Sequence, residues 1–283
     1  MEQSFNNNFV KEMTFQEAIN TPPEQLLNEL FINKVLVIRN SDNIESYANL
    51  MKQLGRAVSY EGAQYNSFHP TGYPEVIRIA NLYIHGKCIG VHEEGEKFYL
   101  TQWHTHFSYK KNNKVISSLQ AHQVHKVKDG TGTQFLDCVA GLNILREALV
   151  SKKIDLGINV ADLDSLVVNH VYGNSNKFQH TEVVTHPLII NHPITNEQSI
   201  YAVSSTAISF DKFNQNESQL ILGKIQNFLA EYAPCYTHEY KEGDIVIWDN
   251  LTTIHRGPVL KASTDEDDCR ILYLMNVDWS CGN

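Results

Sequence analysis

Residues 102–109 read Gln102-Trp103-His104-Thr105-His106-Phe107-Ser108-Tyr109. We interpret this stretch as extended, and in an extended chain the side chains of residues i and i+2 project from the same face. His104 and His106 would then point together, whereas Thr105 would turn away. Two imidazole nitrogens need only one or two more ligands to hold a divalent transition metal, so the stretch predicts part of a metal site.

A third histidine downstream strengthens this hypothesis. The chain has 13 histidines among its 283 residues, so roughly 0.6 His-X-His pairs are expected by chance. Further along, the turn at Gly243-Asp244 leads into an apolar strand at residues 245–248, and His255 follows just past its end. We expect ligands at such positions on the rim of a barrel. Arg270 opens the next apolar run and would supply a cation beside the metal.

Several motifs, in chain order, resemble the taurine dioxygenase family of Fe(II)/2-oxoglutarate-dependent oxygenases. They are Trp103-His104-Thr105, Gly130-Thr131-Gly132-Thr133, His186-Pro187-Leu188 with Asn191-His192-Pro193-Ile194-Thr195, and Gly243-Asp244 through His255 to Arg270. Together these motifs span about residues 30–275, which is most of the chain. The resemblance implies a mainly β fold with flanking helices, a double-stranded β-helix or jelly roll.

The resemblance also implies a role for each matching residue. His104 and His255 would hold Fe(II), and Thr133 would contact the cosubstrate 2-oxoglutarate. The Arg270 guanidinium would pair with the far carboxylate of 2-oxoglutarate, because a guanidinium suits bidentate pairing. One position departs from the family, which places an aspartate or glutamate where this chain has His106. If His106 ligates, the site has three neutral imidazoles, a donor set that also suits zinc, nickel or copper.

We therefore expect an oxygenase that uses dioxygen, Fe(II) and 2-oxoglutarate to oxidise a C–H bond of a small amino-acid-like molecule or natural product. Two alternatives stay open: a non-catalytic jelly-roll protein that binds a metal or keto acid, and a three-histidine dioxygenase independent of 2-oxoglutarate. Thr133 and Arg270 favour cosubstrate binding over the second alternative. Taurine-specific members carry a sulfonate-binding arginine four residues after the cosubstrate arginine, where this chain has Leu274. A taurine-type sulfonate is therefore not expected.

One domain is predicted for residues 1–283, because no repeat or low-complexity linker divides the chain. Long stretches without periodicity are expected around the active site. They are loops 60–74 and 81–100 and an irregular insertion at 151–182. The candidate substrate contacts in this region are Tyr65, His69 and Asn81. The carboxylates of Glu93 and Glu94 could replace the one missing at position 106, although solvated loop charges are the favoured interpretation.

Local patterns also predict helices that would support the sheet. Pro22-Pro23 begins one helix, and Asp42 with Glu45 predicts a capping box for the next. A strand predicted over residues 75–80 precedes loop 81–100. His180, His186 and His192 are interpreted as structural, since proline follows the last two.

Composition excludes several classes of function. A formal net charge of −9 argues against a nucleic-acid-binding surface. No segment approaches the ~18 apolar residues of a membrane span, and the N-terminus lacks a basic region followed by an apolar one. We expect a cytoplasmic protein that could form a homo-oligomer. The five cysteines lie far apart without a Cys-X-X-Cys pair, which favours free thiols over disulfides or a zinc knuckle.

Overall fold

The computed structural model describes residues 9–58, 69–84, 87–89, 102–124, 132–172, 182–201, 203–204, 206–260 and 263–280. Its helices are α1 Phe15–Asn20, α2 Pro23–Asn33, α3 Ile44–Gln53, α4 Cys138–Val150, α5 Val160–Leu163 and α6 Gln215–Tyr232. Its strands are β1 Val10–Thr14, β2 Val35–Arg39, β3 Arg56–Ala57, β4 Ile77–Ile84, β5 Lys87–Ile89, β6 Val115–Gln123, β7 Thr133–Asp137, β8 Val167–His170, β9 Val184–Pro187, β10 Ile189–Asn191, β11 Gln198–Ile200, β12 Ala207–Phe210, β13 Cys235–His238, β14 Ile245–Asp249, β15 Thr253–Arg256 and β16 Ile271–Asp278.

The largest sheet has eight strands, in the order β1-β2-β14-β6-β16-β4-β5, and β3 also pairs with β16. Side chains along each strand alternate between its two faces. On β16, Tyr273, Met275 and Val277 join a hydrophobic cluster with α2 and α3. Leu272 and Leu274 project from the opposite face into a second cluster. Both faces of the sheet are therefore covered, one by helices and the other by the second layer of the fold.

A smaller sheet, in the order β13-β7-β15, forms that second layer. Phe135 on β7 packs against Trp248 on β14 with 5.4 Å between ring centroids, so the two sheets enclose a common apolar interior. A third sheet, β12-β8-β9, shares a separate hydrophobic cluster with α4 and α6. Two facing sheets with flanking helices are the predicted jelly roll. Over the described ranges, no helix has the length and apolar character needed to cross a membrane.

The start of α3 differs from the prediction. Asn43 is the N-cap residue, and its side-chain oxygen accepts a hydrogen bond of 2.9 Å from the backbone N–H of Ser46. The predicted capping box of Asp42 and Glu45 is therefore wrong by one position. Asparagine and aspartate cap helices about equally well, so local preference alone did not distinguish the two neighbouring residues.

Two ranges predicted as loops contain regular structure. α5 and β8 lie within the insertion predicted at 151–182, and β8 pairs with both β9 and β12. β4 continues through Asn81 to Ile84, where the sequence predicts the start of loop 81–100, because it pairs with β16 and β5. β16 and β12 come from distant parts of the chain, whereas β5 and β9 follow soon after the strands with which they pair. The organisation as one domain stays a prediction.

A buried carboxylate stabilises the turn before β14. Asp244 accepts hydrogen bonds of 2.6 Å from Arg39 Nη1 and 2.8 Å from the backbone N–H of Lys241. The Nε2 atom of His238 lies 3.1 Å from the same carboxylate oxygen. Burial disfavours the charged form, but the bonds from His238 and Lys241 and the charge of Arg39 together lower the pKa of Asp244.

We expect Asp244→Asn to lower the free energy of unfolding by about 3 kcal/mol near pH 7, because Arg39 loses its buried anionic partner and retains the exposed Glu12. The folded-state pKa of Asp244 lies below the unfolded value of about 3.9, so its stabilisation is present above that pH and disappears as pH falls further. Urea unfolding of parent and variant at pH 7 and pH 3.5 would measure this difference. Exposed Asp155→Asn is the matched control, and equal stabilities of parent and Asp244→Asn at pH 7 would contradict the prediction.

Candidate metal centre

The stretch 102–109 is extended only at its beginning. His104 and His255 form an isolated antiparallel bridge, in which each backbone N–H donates to the other's carbonyl, at 2.9 and 2.8 Å. The chain then turns after His106, with Phe107 at a φ of 58°. The prediction of a strand through the whole stretch is therefore wrong. The predicted meeting of the two side chains is nevertheless observed, with ring centroids of His104 and His106 5.4 Å apart.

His255 lies inside β15 rather than just past β14. A turn at residues 250–252 reverses the chain, and β15 then pairs antiparallel with β7. This reversal brings the His255 ring to 4.2 Å from that of His104 and 4.8 Å from that of His106, measured between centroids. One potential ligand atom from each of the three histidines lies within 4.8 Å of the others.

The three imidazoles have the burial and protonation that a metal ligand needs. Their residues are 4%, 7% and 4% exposed in chain order. Burial lowers the pKa of His104 to about 4 and, together with the neighbouring His104, that of His106 to about 3. Burial also lowers the pKa of His255 well below its ordinary value. All three rings are therefore neutral at pH 7, the form that coordinates metals.

Hydrogen bonding around the cluster also fits a metal ion. The Nδ1 atom of His104 lies 2.7 Å from the carbonyl oxygen of Gln102, which can only accept. Nδ1 therefore carries the hydrogen, and the lone pair of His104 lies on Nε2. Among the described residues, the buried Nδ1 of His255 has no hydrogen-bond partner. Since buried polar atoms are nearly always paired, a ligand inside the cluster would explain this atom.

A cavity connects the histidines to Thr133 and Arg270. These five residues line it together with apolar side chains that include Ile79, Leu119, Trp248, Leu272 and Leu274. Arg270 is 5% exposed, and burial lowers its pKa to about 10, so the guanidinium stays charged at neutral pH. A buried cation in an apolar cavity favours a bound anion, since electrostatic attraction is stronger away from water.

Thr133 has a partner that sequence analysis did not find. Its hydroxyl lies 2.9 Å from the hydroxyl of Tyr240, which is buried. Tyr240 in turn lies close enough to Arg270 to affect the pKa of the guanidinium. Gly132 lets the start of β7 lie close to the end of β13, because a Cβ atom at position 132 would lie 2.6 Å from the carbonyl oxygen of His238. The Gly-Thr turn thus has a steric reason, and Tyr240 belongs to the site through Thr133.

The predicted substrate contacts that the structure describes, His69 and Asn81, bond to backbone groups and do not line the cavity. The Nδ1 atom of His69 lies 2.7 Å from the carbonyl oxygen of Val76, within its own loop. The side-chain oxygen of Asn81 accepts a 2.7 Å bond from the backbone N–H of Arg270. Neither residue is among those that line the cavity. Tyr65, Glu93 and Glu94 lie outside the described residues. A substrate role for Tyr65, His69 and Asn81 stays a prediction.

The histidines interpreted as structural have bonds consistent with that view. His186 Nε2 lies 3.0 Å from the carbonyl oxygen of Lys110. His192 Nδ1 accepts backbone hydrogen bonds from Ile194 and Thr195, at 3.3 and 3.1 Å. His180 lies outside the described residues.

The jelly roll with three buried histidines at one cavity defines a class of protein, the double-stranded β-helix proteins with a candidate metal centre. The chain belongs to the family described as taurine catabolism dioxygenase TauD, TfdA family, whose model matches residues 5–273. The predicted family is confirmed.

Two curated relatives are known enzymes. Pentalenolactone F synthase from Streptomyces arenae is 24% identical over 66% of this chain. The alpha-ketoglutarate-dependent 2,4-dichlorophenoxyacetate dioxygenase from Cupriavidus pinatubonensis is 24% identical over 65% of this chain. The alignments span 64% of the length of each of these relatives.

Two solved structures share the fold. AAD-2 in complex with Mn(II) and N-oxalylglycine has a TM-score of 0.70 at 21% identity, over 95% of this chain and 93% of that one. A taurine dioxygenase from Burkholderia xenovorans has a TM-score of 0.66 at 21% identity, over 95% of this chain and 82% of that one. The predicted jelly-roll fold is therefore confirmed.

Proposed function

We propose that this protein is an Fe(II)- and 2-oxoglutarate-dependent oxygenase that uses dioxygen to oxidise a C–H bond of a small amino-acid-like or natural-product substrate. The observation that carries the proposal is the cavity lined both by three buried histidines and by Arg270. Family membership supports it, as do the alpha-ketoglutarate dependence of the 2,4-dichlorophenoxyacetate dioxygenase and the Mn(II) and N-oxalylglycine bound by AAD-2. A cytoplasmic location and a homo-oligomer stay predictions.

In this proposal, His104, His106 and His255 hold the metal and Thr133 and Arg270 hold the far carboxylate of 2-oxoglutarate. When bound, iron and 2-oxoglutarate supply the oxidising chemistry that activates dioxygen. The chain itself positions these groups, because His255 lies on β15 and two backbone hydrogen bonds join it to His104. The apolar wall that includes Leu119 excludes water and strengthens the attraction between Arg270 and the carboxylate.

The cavity also restricts the substrate. Among the described lining residues, Arg270 is the one lysine or arginine, and Leu274 occupies the position where taurine-specific relatives would have a second. With Arg270 engaged by 2-oxoglutarate, no described cation of the lining is left for a sulfonate. We therefore propose a primary substrate whose reacting end is apolar or uncharged.

His106 supports one alternative function. Among the described residues, the cluster that could hold a metal contains no carboxylate. A third neutral imidazole makes the centre more positive than the family's usual donor set and reduces electron donation to the metal. The alternative is therefore a protein that binds the metal and keto acid without turnover.

Titration of the anaerobic Fe(II) protein with 2-oxoglutarate tests the proposal, with His106→Asp measured beside the parent. We expect the visible charge-transfer band that a 2-oxo acid gives with Fe(II), and slow substrate-free decarboxylation when air is admitted. A band without decarboxylation would favour the binding protein. A band in His106→Asp but none in the parent would contradict the proposed function of the natural chain.

The partner of Thr133 provides a separate test of the carboxylate site. Tyr240→Phe removes the hydroxyl that holds Thr133, a loss of about 1 kcal/mol, so the Kd for 2-oxoglutarate should rise about fivefold. Anaerobic calorimetry on the Fe(II) protein would measure it. Tyr236→Phe is the matched control, because the Tyr236 hydroxyl lies 2.9 Å from His238 Nδ1 instead. An equal Kd in the two variants would contradict a role for Tyr240.

A further inference from the structure

Two polar residues interrupt the apolar inner face of the large sheet directly behind His106. Ser117 on β6 and Asn276 on β16 are paired across the two strands, at 0% and 2% exposure. Their inward-facing neighbours on the same strands, Leu119 and Leu274, are apolar. His106 Nδ1 lies 2.9 Å from Ser117 Oγ and 3.1 Å from Asn276 Oδ1. Which atom donates in these contacts decides where the lone pair of His106 lies.

The direction of the hydrogen bonds follows from Asn250, at the end of β14. Its Oδ1 atom lies 3.1 Å from Trp248 Nε1 and 3.2 Å from the backbone nitrogen of His106. Both nitrogens can only donate. Its Nδ2 atom lies 2.9 Å from the carbonyl oxygen of Val115, which can only accept. The orientation of the Asn250 amide is therefore determined, and Nδ2 donates to Ser117 Oγ at 2.8 Å.

The remaining hydrogens can then be placed. Ser117 Oγ lies 2.6 Å from Asn276 Oδ1, a separation typical of O–H···O and shorter than usual for N–H···O. The Ser117 hydroxyl therefore donates to Asn276. His106 Nδ1 consequently faces an oxygen whose hydrogen is already directed to Asn276 and a second oxygen that has none. Nδ1 must carry the hydrogen of the neutral ring, and the lone pair lies on Nε2.

We propose that Asn276, supported by Ser117 and Asn250, is a positioning residue that makes His106 the third metal ligand through Nε2. This inference rests on the proposed metal site. The amide oxygen of Asn276 can accept the N–H of an imidazole, whereas an ionised carboxylate in the same place would have no hydrogen to donate to it. The departure at position 106 is therefore part of a matched set: a histidine ligand and the amide that orients it.

Two measurements test the inference. In the metal-free protein, 15N shifts of the His106 ring should show the tautomer with hydrogen on Nδ1, and the opposite tautomer would overturn it. This measurement needs no variant.

The second measurement is the anaerobic Kd for Co(II), followed by the visible absorbance of the bound ion. Asn276→Leu, which cannot accept the bond, should raise that Kd about 10- to 100-fold. Asn276→Asp keeps an acceptor and should stay near the parent value.

Asn169→Leu is the matched control, because Asn169 bonds Ser209 between β8 and β12, away from the histidines. Its Kd for Co(II) should equal that of the parent. A parent that binds no Co(II) would overturn the proposed function and this inference together. Tight Co(II) binding by the parent with an unchanged Kd in Asn276→Leu would overturn the inference alone.

Discussion

Replacing His255 by alanine is expected to raise the Kd for Fe(II) by more than about 100-fold. Replacing a residue that only hydrogen-bonds to a metal ligand weakens metal binding by up to about 100-fold, and loss of a ligand should cost more. His255 is central to the cluster, since its backbone bridges His104 and its ring lies beside both other imidazoles. The variant leaves two imidazoles, too few to hold a divalent ion firmly. Anaerobic equilibrium dialysis with Fe(II) would measure the loss, with circular dichroism to verify folding.

His122→Ala is the matched control for this experiment. His122 is exposed and stacks on Tyr273 with 4.9 Å between ring centroids, so it lies on the helix-covered side of the large sheet. Its removal should leave the Kd for Fe(II) unchanged. Retention of parent-like Fe(II) affinity in His255→Ala would show that the cluster is not the metal site.

The second large effect is expected at Arg270. Truncating one partner of a buried charge pair costs about 2 to 5 kcal/mol, so Arg270→Leu should raise the Kd for 2-oxoglutarate at least about 30-fold. The cation is buried in an apolar wall, where no bulk water could replace it. Anaerobic calorimetry on the Fe(II)-loaded variant would measure the change.

The affinity for Fe(II) alone separates this effect from general damage. Arg270 is not among the proposed ligands, so Fe(II) should bind Arg270→Leu within a few-fold of the parent value. Arg78→Leu is the control arginine, because Arg78 pairs with Tyr273 and projects from the opposite face of the sheet to Ile79. If Arg270→Leu and the parent bound 2-oxoglutarate equally, the anion site would have to lie elsewhere.

Much of the fold was predictable because its signals are local. The Pro23 start of α2 and the apolar run of β14 follow from short patterns. β4 and β8 were harder, since polar residues such as Asn81 interrupt them and one partner of each strand, β16 for β4 and β12 for β8, lies far away in sequence. Strand pairing of this kind depends on which distant segments meet.

The sequence by itself determined the chemistry that the site can hold. The order of His104, His106, Thr133, His255 and Arg270 predicted residues that the structure places around one cavity. Residue type carries part of this information, because imidazoles suit transition metals and a guanidinium suits a carboxylate. The roles of Thr133 and Arg270 in binding 2-oxoglutarate came from the family resemblance.

Only the tertiary structure decided how that chemistry is oriented. Ser117 and Asn276 are 159 positions apart, yet they meet behind His106 and place its hydrogen on Nδ1. Tyr240 reaches Thr133 across 107 positions in the same way. Cross-strand register creates these contacts, and a serine or asparagine in a strand looks alike in sequence whether it faces a histidine or water. The physical reason is that a hydrogen bond depends on distance and direction in space, and neither is encoded by sequence spacing.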